Sequence, residues 1–188
     1  MILPLTIEKL KFLIPYSSLK DREKFIEPLN LTMGIYKINT PLRIAAFIAQ
    51  VTHESGSLHY VQEIADGSAY EWRRDLGNLE EEALVVAHAH GTTTGRFFKG
   101  HGLIQVTGYY NHKKCSEGLG IDFVTAPNRL AEPLYAALSA GWFWDTHQLN
   151  KLADERNFVR ISKVINGGTN GLKDRLANYE RCLKVLGI

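Results

Sequence analysis

Cysteine is scarce in this chain: Cys115 and Cys182 are the only two, and 67 positions separate them. That excludes a disulfide-dense scaffold and a multi-cysteine zinc site, and fits two reduced, partly buried thiols in a cytosolic protein. Long apolar runs are missing too, since nothing approaches the ~18 consecutive apolar residues of a transmembrane helix. The opening residues, Met1 to Lys9, carry no basic region, apolar stretch or small-residue cleavage site. No conventional secretion signal is expected from them. Neither sign of charge dominates: 22 Lys and Arg against 20 Asp and Glu leave +2. A pI near 8.5 suits a polyanionic or cell-wall partner but is too mild for nucleic acid. Internal repeats, low-complexity tracts and linkers are absent. What remains is an ordinary globular composition, 45% hydrophobic over 188 residues. It is enough for one domain, 1–188, with a core of its own.

Helical spacing dominates the pattern. Thr6 to Leu13 reads as a short helix stopped by Pro15, and Ser17, Ser18 and Asp21 suit the cap of a second running towards Leu29. Thr40 offers an N-cap hydroxyl and Pro41 a first helical residue. Leu42, Ala45, Ala46, Ile48, Ala49 and Thr52 then recur at helical spacing until Gly56 supplies a left-handed stop. The middle, 57–102, is irregular, with Tyr60 to Ile64 a brief strand or turn, Glu80 to His90 a helix and Gly91 to Gly95 a loop. Leu103 to Thr107, bracketed by glycines, reads as extended, and Tyr109 to Gly118 as helical. Beyond Pro127 helices return. One starts at Pro133 with Leu134, Leu138, Trp142 and Phe143 on one face and Trp144 alongside; one covers Phe158 to Ile165. The last is capped by Asn170 and aligns Leu172, Leu176, Tyr179, Leu183 and Leu186. Trp142 and Trp144 cannot share a face, so one belongs in the core. The class is mainly α with a small extended element.

Chemistry concentrates in His53-Glu54-Ser55-Gly56 and in Glu63, nine residues beyond Glu54. A helix that ends at Glu54 and a turn that returns the chain would set two carboxyl groups across a groove. Such a pair hydrolyses a glycosidic bond, one giving a proton to the leaving oxygen and the other activating water or attacking the sugar. Aliphatic walls such as Ile48 and Val51 would keep the acid's proton on. A zinc peptidase is disfavoured, because His59 misses the HExxH spacing from His53 and Gly56 interrupts the helix. Glu71 is a competing second carboxylate, although Arg73 or Arg74 suits it as a surface partner. Gln105 and Thr107 fit either sugar recognition or the hydrogen bonding of their neighbouring glycines. Asn166 beside Gly167 reads equally as a helix stop.

HESG with its second Glu, then GLIQVTGYYN, then GWFW and then INGGTNG stand here in one order. Together they resemble glycoside hydrolase family 19, from about residue 41 to the C-terminus. The resemblance implies a two-lobed, lysozyme-like helical fold with a cleft between the lobes, and an inverting mechanism. It implies Glu54 as general acid, Glu63 as base and Thr107 as a holder of the attacking water. Gln105, Tyr110, Asn111 and Asn166 become sugar contacts, and Arg175 a brace for the acidic residues. No cofactor or metal is implied. Where the family usually carries Arg between two glycines, this chain has His101, whose neutral ring would alter the charge of the cleft. Within the family, the features favour the phage endolysin branch. Its substrate would be the peptidoglycan strand, reached from a host bacterial cytoplasm through a separately encoded membrane pore (holin), with the enzyme acting as a monomer on the periplasmic wall. The alternatives are a chitinase with the same machinery and an exported antibacterial toxin.

Overall fold

The computed structural model describes residues 4–188. Ten α-helices are formed among them: α1 (Ile7–Leu13), α2 (Leu19–Ile35), α3 (Pro41–Glu54), α4 (Glu81–Ala89), α5 (Thr94–Phe97), α6 (Tyr109–Leu119), α7 (Pro133–Thr146), α8 (Leu149–Asp154), α9 (Phe158–Asn166) and α10 (Leu172–Leu186). The side chains of Thr6, Ser18 and Thr40 accept from the backbone N–H three residues on, so the first three helices begin on the caps expected of them.

α3 organises the molecule. Nine consecutive residues, Ile44 to Thr52, are buried, so the helix is enclosed on all sides. α10 packs along it and α7 along α2. Phe47 meets Trp144 edge-on with ring centroids 5.3 Å apart. Trp144 is thus the core tryptophan, whereas Trp142 is partly exposed. Two smaller clusters serve the middle of the chain, one around Phe98 and Tyr109, the other around Val106, Cys115 and Phe123. Cys115 and Cys182 are free and lie in different clusters. Burial pushes both thiols up to about 12, which leaves them unreactive.

Several expectations are corrected. α2 runs six residues past Leu29 and through Pro28, because Leu29, Thr32 and Met33 are buried; tertiary packing outweighs the hydrogen bond that proline removes. Leu103 to Thr107 is a turn, not a strand. Among the described residues, the isolated bridges Gln62–His101 and His101–Val106 are all that form here, and Gly102 and Gly108 hold positive φ. α5 begins in the last two residues of the expected loop and runs to Phe97, and α8 was not foreseen. The buried face of α7 is Ala136, Ala137, Ser139, Ala140, Gly141 and Trp144, while Leu134 is 39% exposed. The reason is close approach: a Cβ on Gly141 would lie 2.3 Å from the Tyr36 ring and 2.4 Å from Thr32. In α10 the fully buried residues are Arg175, Asn178, Tyr179 and Cys182, with the leucines at the margin. Its cap is Gly171 at φ +68°, not Asn170, because a Cβ on Gly171 would lie 2.4 Å from the His53 ring.

Candidate active site

Glu54 is the last residue of α3, delivered through the core by the small residues before it. Its side chain is 21% exposed, and its Oε1 accepts from Arg175 Nη2 at 2.5 Å. Arg175, itself wholly enclosed, donates from Nη1 to Gln50 Oε1 at 2.5 Å. Gln50 Nε2 donates to Ser162 Oγ at 2.8 Å, and that hydroxyl donates to Phe158 O at 3.1 Å. One polar thread therefore ties α3, α10 and α9 behind the carboxylate. The hydrogen-bond partner of Glu54 is a guanidinium, and Ile48 and Val51 of the same helix are fully buried in the core. His53 turns away and pairs through Nδ1 with Asp174 at 2.6 Å, bracing the start of α10. His59 lies apart, 3.8 Å from Asp21.

The return of the chain after Glu54 is tight. Gly56, Ser57 and Leu58 all hold positive φ (53°, 64° and 73°). The buried Leu58, the Ser55 hydroxyl accepting from Leu58 N at 2.8 Å and the bond from Ser57 N to Thr52 O hold the turn. Non-glycine residues pay for such φ values and keep them where the surroundings over-determine them.

The turn leads to Glu63, which binds Gly100 twice. Glu63 N donates to Gly100 O at 2.8 Å, and Gly100 N donates to Glu63 Oε2 at 3.1 Å. Oε1 accepts from the Tyr70 hydroxyl at 2.9 Å; burial and this carboxylate hold the Tyr70 phenol above its usual range. Gln105 and Thr107 converge on the same glycine, for a Cβ on Gly100 would lie 2.4 Å from Gln105 Oε1 and 3.1 Å from Thr107 Oγ1. Glu63, Gln105 and Thr107 are thus gathered around one backbone position, where a Cβ would displace the Gln105 amide. Asn111 donates to Thr107 O at 2.8 Å. With Gln105 and Trp142 it lines a small pocket closed by Phe143 and His147.

Other expected residues are placed differently. Glu71 has no arginine partner; it accepts from the Thr93 hydroxyl and from Gly95 N at 3.0 Å, on a separate pocket beside the exposed Trp72. Arg73 pairs with Asp75 instead. Tyr110 packs on Gly77 and donates to Glu80. Asn166 closes α9, and its amide nitrogen is buried without a protein partner. His101 does not charge a cleft surface: it is wholly buried, and desolvation lowers it to about 4. Tyr70, Gln50 and the backbone of Gly100 were not anticipated; only the glycine spacing around Ile104-Gln105 hinted at the last.

The family model for glycoside hydrolase 19, described as chitinase class I, matches residues 37–157. An endochitinase of Arabidopsis thaliana is 32% identical over 152 residues, covering 77% of this chain and 48% of that protein. Endochitinase B of Nicotiana tabacum is 28% identical over 173 residues, covering 77% and 53%. The chain spans about half the length of these curated relatives. A bacterial family 19 chitinase superposes with a TM-score of 0.77 at 21% identity, covering 99% of this chain and 96% of that one. Chitinase C from Streptomyces griseus gives 0.75 at 18%, covering 97% and 76%. The lysozyme-like helical fold is shared with both.

Proposed function

We propose that this chain, which belongs to glycoside hydrolase family 19, hydrolyses glycosidic bonds between N-acetylated sugars, with chitin-type strands as its substrate class. The names of its relatives support that class, several being endochitinases. The observation that carries the chemistry is the gathering of Glu63, Gln105 and Thr107 around Gly100, together with a Glu54 clamped by Arg175 at the end of α3.

Glu54 is assigned as general acid. Arg175 occupies Oε1, so Oε2 is left to carry the proton to the leaving oxygen. Glu63 is the base. Its two oxygens accept from the Tyr70 hydroxyl and Gly100 N, which fix in place the carboxylate that takes a proton from water. The Thr107 hydroxyl accepts that water's second hydrogen, and attack from the face opposite the leaving group inverts the anomeric carbon. Gln105 and Asn111 supply amide donors and acceptors for hydroxyl and N-acetyl groups. The unpartnered Asn166 amide is the donor that a sugar oxygen would satisfy. Tyr110, tied to Glu80, serves as an aromatic wall.

A second reading takes peptidoglycan as the glycan, cut by an endolysin that a separate pore releases. It is favoured by the two buried, unpaired cysteines, since a fold without disulfides is suited to synthesis in a reducing cytoplasm. Purified wild type and Glu54→Gln are to be compared on N-acetylglucosamine oligomers and on outer-membrane-permeabilised Gram-negative cells. Oligomer cleavage without loss of turbidity supports chitin, and clearing of cells supports the wall. General acid catalysis supplies about 10²–10⁴ in rate, so Glu54→Gln loses that factor in either assay. A folded Glu54→Gln at near wild-type rate overturns the assignment.

A further inference from the structure

His101 is the residue shared by both backbone bridges of the middle segment. Through its N–H and C=O it pairs with Val106 (3.1 and 2.8 Å), and it lies opposite Gln62. These contacts hold together segments 61–63, 100–102 and 106, which carry Glu63, Gly100 and the residues flanking Gln105 and Thr107. The side chain of His101 points inward to a second imidazole, His112, which is also wholly buried.

The buried contact with His112 sets the direction of these hydrogen bonds, and the one acceptor–acceptor approach it leaves, His101 Nε2 to Asn128 Oδ1 at 3.2 Å, lies at the partly exposed end. His112 Nδ1 lies 2.8 Å from Gly108 O, a pure acceptor, so Nδ1 carries the proton and Nε2 is a lone pair. That lone pair faces His101 Nδ1 at 3.3 Å, so His101 also carries its proton on Nδ1. His101 Nε2 is then an acceptor, 3.1 Å from the Gln62 amide nitrogen, whose second hydrogen goes to Asn128 Oδ1 at 3.2 Å. The reverse tautomer of His101, donating from Nε2 to Asn128, would leave two nitrogen lone pairs facing each other in a site without solvent.

We propose that His112, His101 and Gln62 form a one-way relay of neutral donors that holds the Gln62–His101–Val106 bridges in register and so positions Glu63 and Thr107 around Gly100. They are positioning residues, two of them without solvent contact. The inference rests on the assignment of Glu63 as base. Desolvation lowers both imidazoles, His101 to about 4 and His112 to about 3, as neutral rings in such a relay require.

The test has a part that does not depend on activity. In ¹⁵N-histidine NMR at pH 7, two imidazoles should show the Nδ1–H tautomer and lose their signals in His101→Asn and His112→Phe respectively. A charged ring or an Nε2–H tautomer at either position overturns the relay. In kinetics, Gln62→Met keeps the shape and removes the first donor at the relay's partly exposed end. It should lower kcat about 10-fold or more, with KM within about twofold and Tm nearly unchanged, because a misplaced base costs rate before binding. His112→Phe should do the same at some cost in Tm, and His112→Gln, which restores an acceptor, should recover part of the rate. Full kcat in Gln62→Met overturns the positioning role. If Glu63→Gln is itself fully active, the assignment of the base fails while the tautomers still report on the relay.

Discussion

Replacing Arg175 by Met tests the polar thread behind Glu54. The substitution keeps length and apolar bulk but removes the donors to Glu54 Oε1 and Gln50 Oε1, both at 2.5 Å. Breaking a buried ion pair by removing one partner costs about 3–5 kcal/mol. Glu54 is 21% exposed, so water reaches the abandoned carboxylate and the lower end, about 3 kcal/mol, applies. For a domain of this size each kcal/mol moves Tm by roughly 2–4 °C, so calorimetry should show a fall of about 6–12 °C. Arg175→Lys should fall by less, since one ammonium can hold one of the two acceptors well but not both. The cycle with Glu54→Gln should give a coupling of about 1–2 kcal/mol. Activity should drop as well, because an acid that is no longer oriented delivers its proton less often. An Arg175→Met protein that melts within a degree or two of wild type, with full activity, would refute the reasoning and reduce the thread to a crossing of side chains.

Glu63→Gln should approach the loss seen for Glu54→Gln, whereas Glu71→Gln, whose carboxylate accepts from Thr93 and Gly95, should keep most activity in the same assay; the reverse would move the base to Glu71. Thr107→Ala should lower kcat with little change in KM, and the first products, read by NMR, should have the inverted anomer; full rate in the alanine variant returns Thr107 to a bland role beside Gly108. Acid stability carries the mark of the two buried imidazoles. Both are held below the ordinary 6.5, so an unfolded chain takes up protons first; their contribution is complete above about 6.5 and is lost as pH falls towards about 4. Tm should therefore decline across that window, and decline less in His112→Phe.

The parts of this fold that are written locally were legible, and those written by contact were not. Thr6, Ser18 and the Thr40-Pro41 pair cap their own helices within three residues, and the first three helices start where they indicate. α2 could not be followed past Pro28, because its extension depends on burial against a helix more than a hundred residues away. The apolar spacing of α7 was misleading for the same reason: Thr32 and Tyr36 of α2 come so close that small residues face the core and Leu134 is left outside. The glutamate pair was visible because the spacing of Glu54 and Glu63 is a sequence property. Arg175 was named only through resemblance, being 121 positions from Glu54. Tyr70 and Gln50 had no signal at all. His101 was visible as a departure from the usual arginine, but its meaning depended on His112, a ring that nothing in the spacing singled out.

The two carboxylates are held by different physics, and this separates what substitution does to each. Glu54 stands on a helix whose nine buried residues form the core, and its brace is a chain of enclosed polar groups. Damage there exposes unpaired polar atoms to a dry interior and appears first as lost stability. Glu63 stands on irregular chain with little apolar packing of its own. In its place, backbone approaches backbone, Gly67 against Gly95, Gly108 against Leu76 and Gly100 against Glu63, and Gly100 N also donates to the carboxylate. The apolar residues of that region, Leu103, Ile104 and Val106, are buried in the apolar clusters, but its polar positions are not, so a change at a polar position removes little folding free energy and shifts a catalytic group by tenths of an ångström. Variants of the α3–α10 thread should therefore scatter along a line of falling Tm and falling rate together. Variants of the polar residues Gln62, Glu63, Gln105 and Thr107 should lose rate at nearly constant Tm. If both sets fall on one line, the polar positions around Glu63 are as tightly coupled to the α3 core as the apolar Leu103 and Ile104 beside them, and the distinction between a rigid acid and a backbone-held base does not hold.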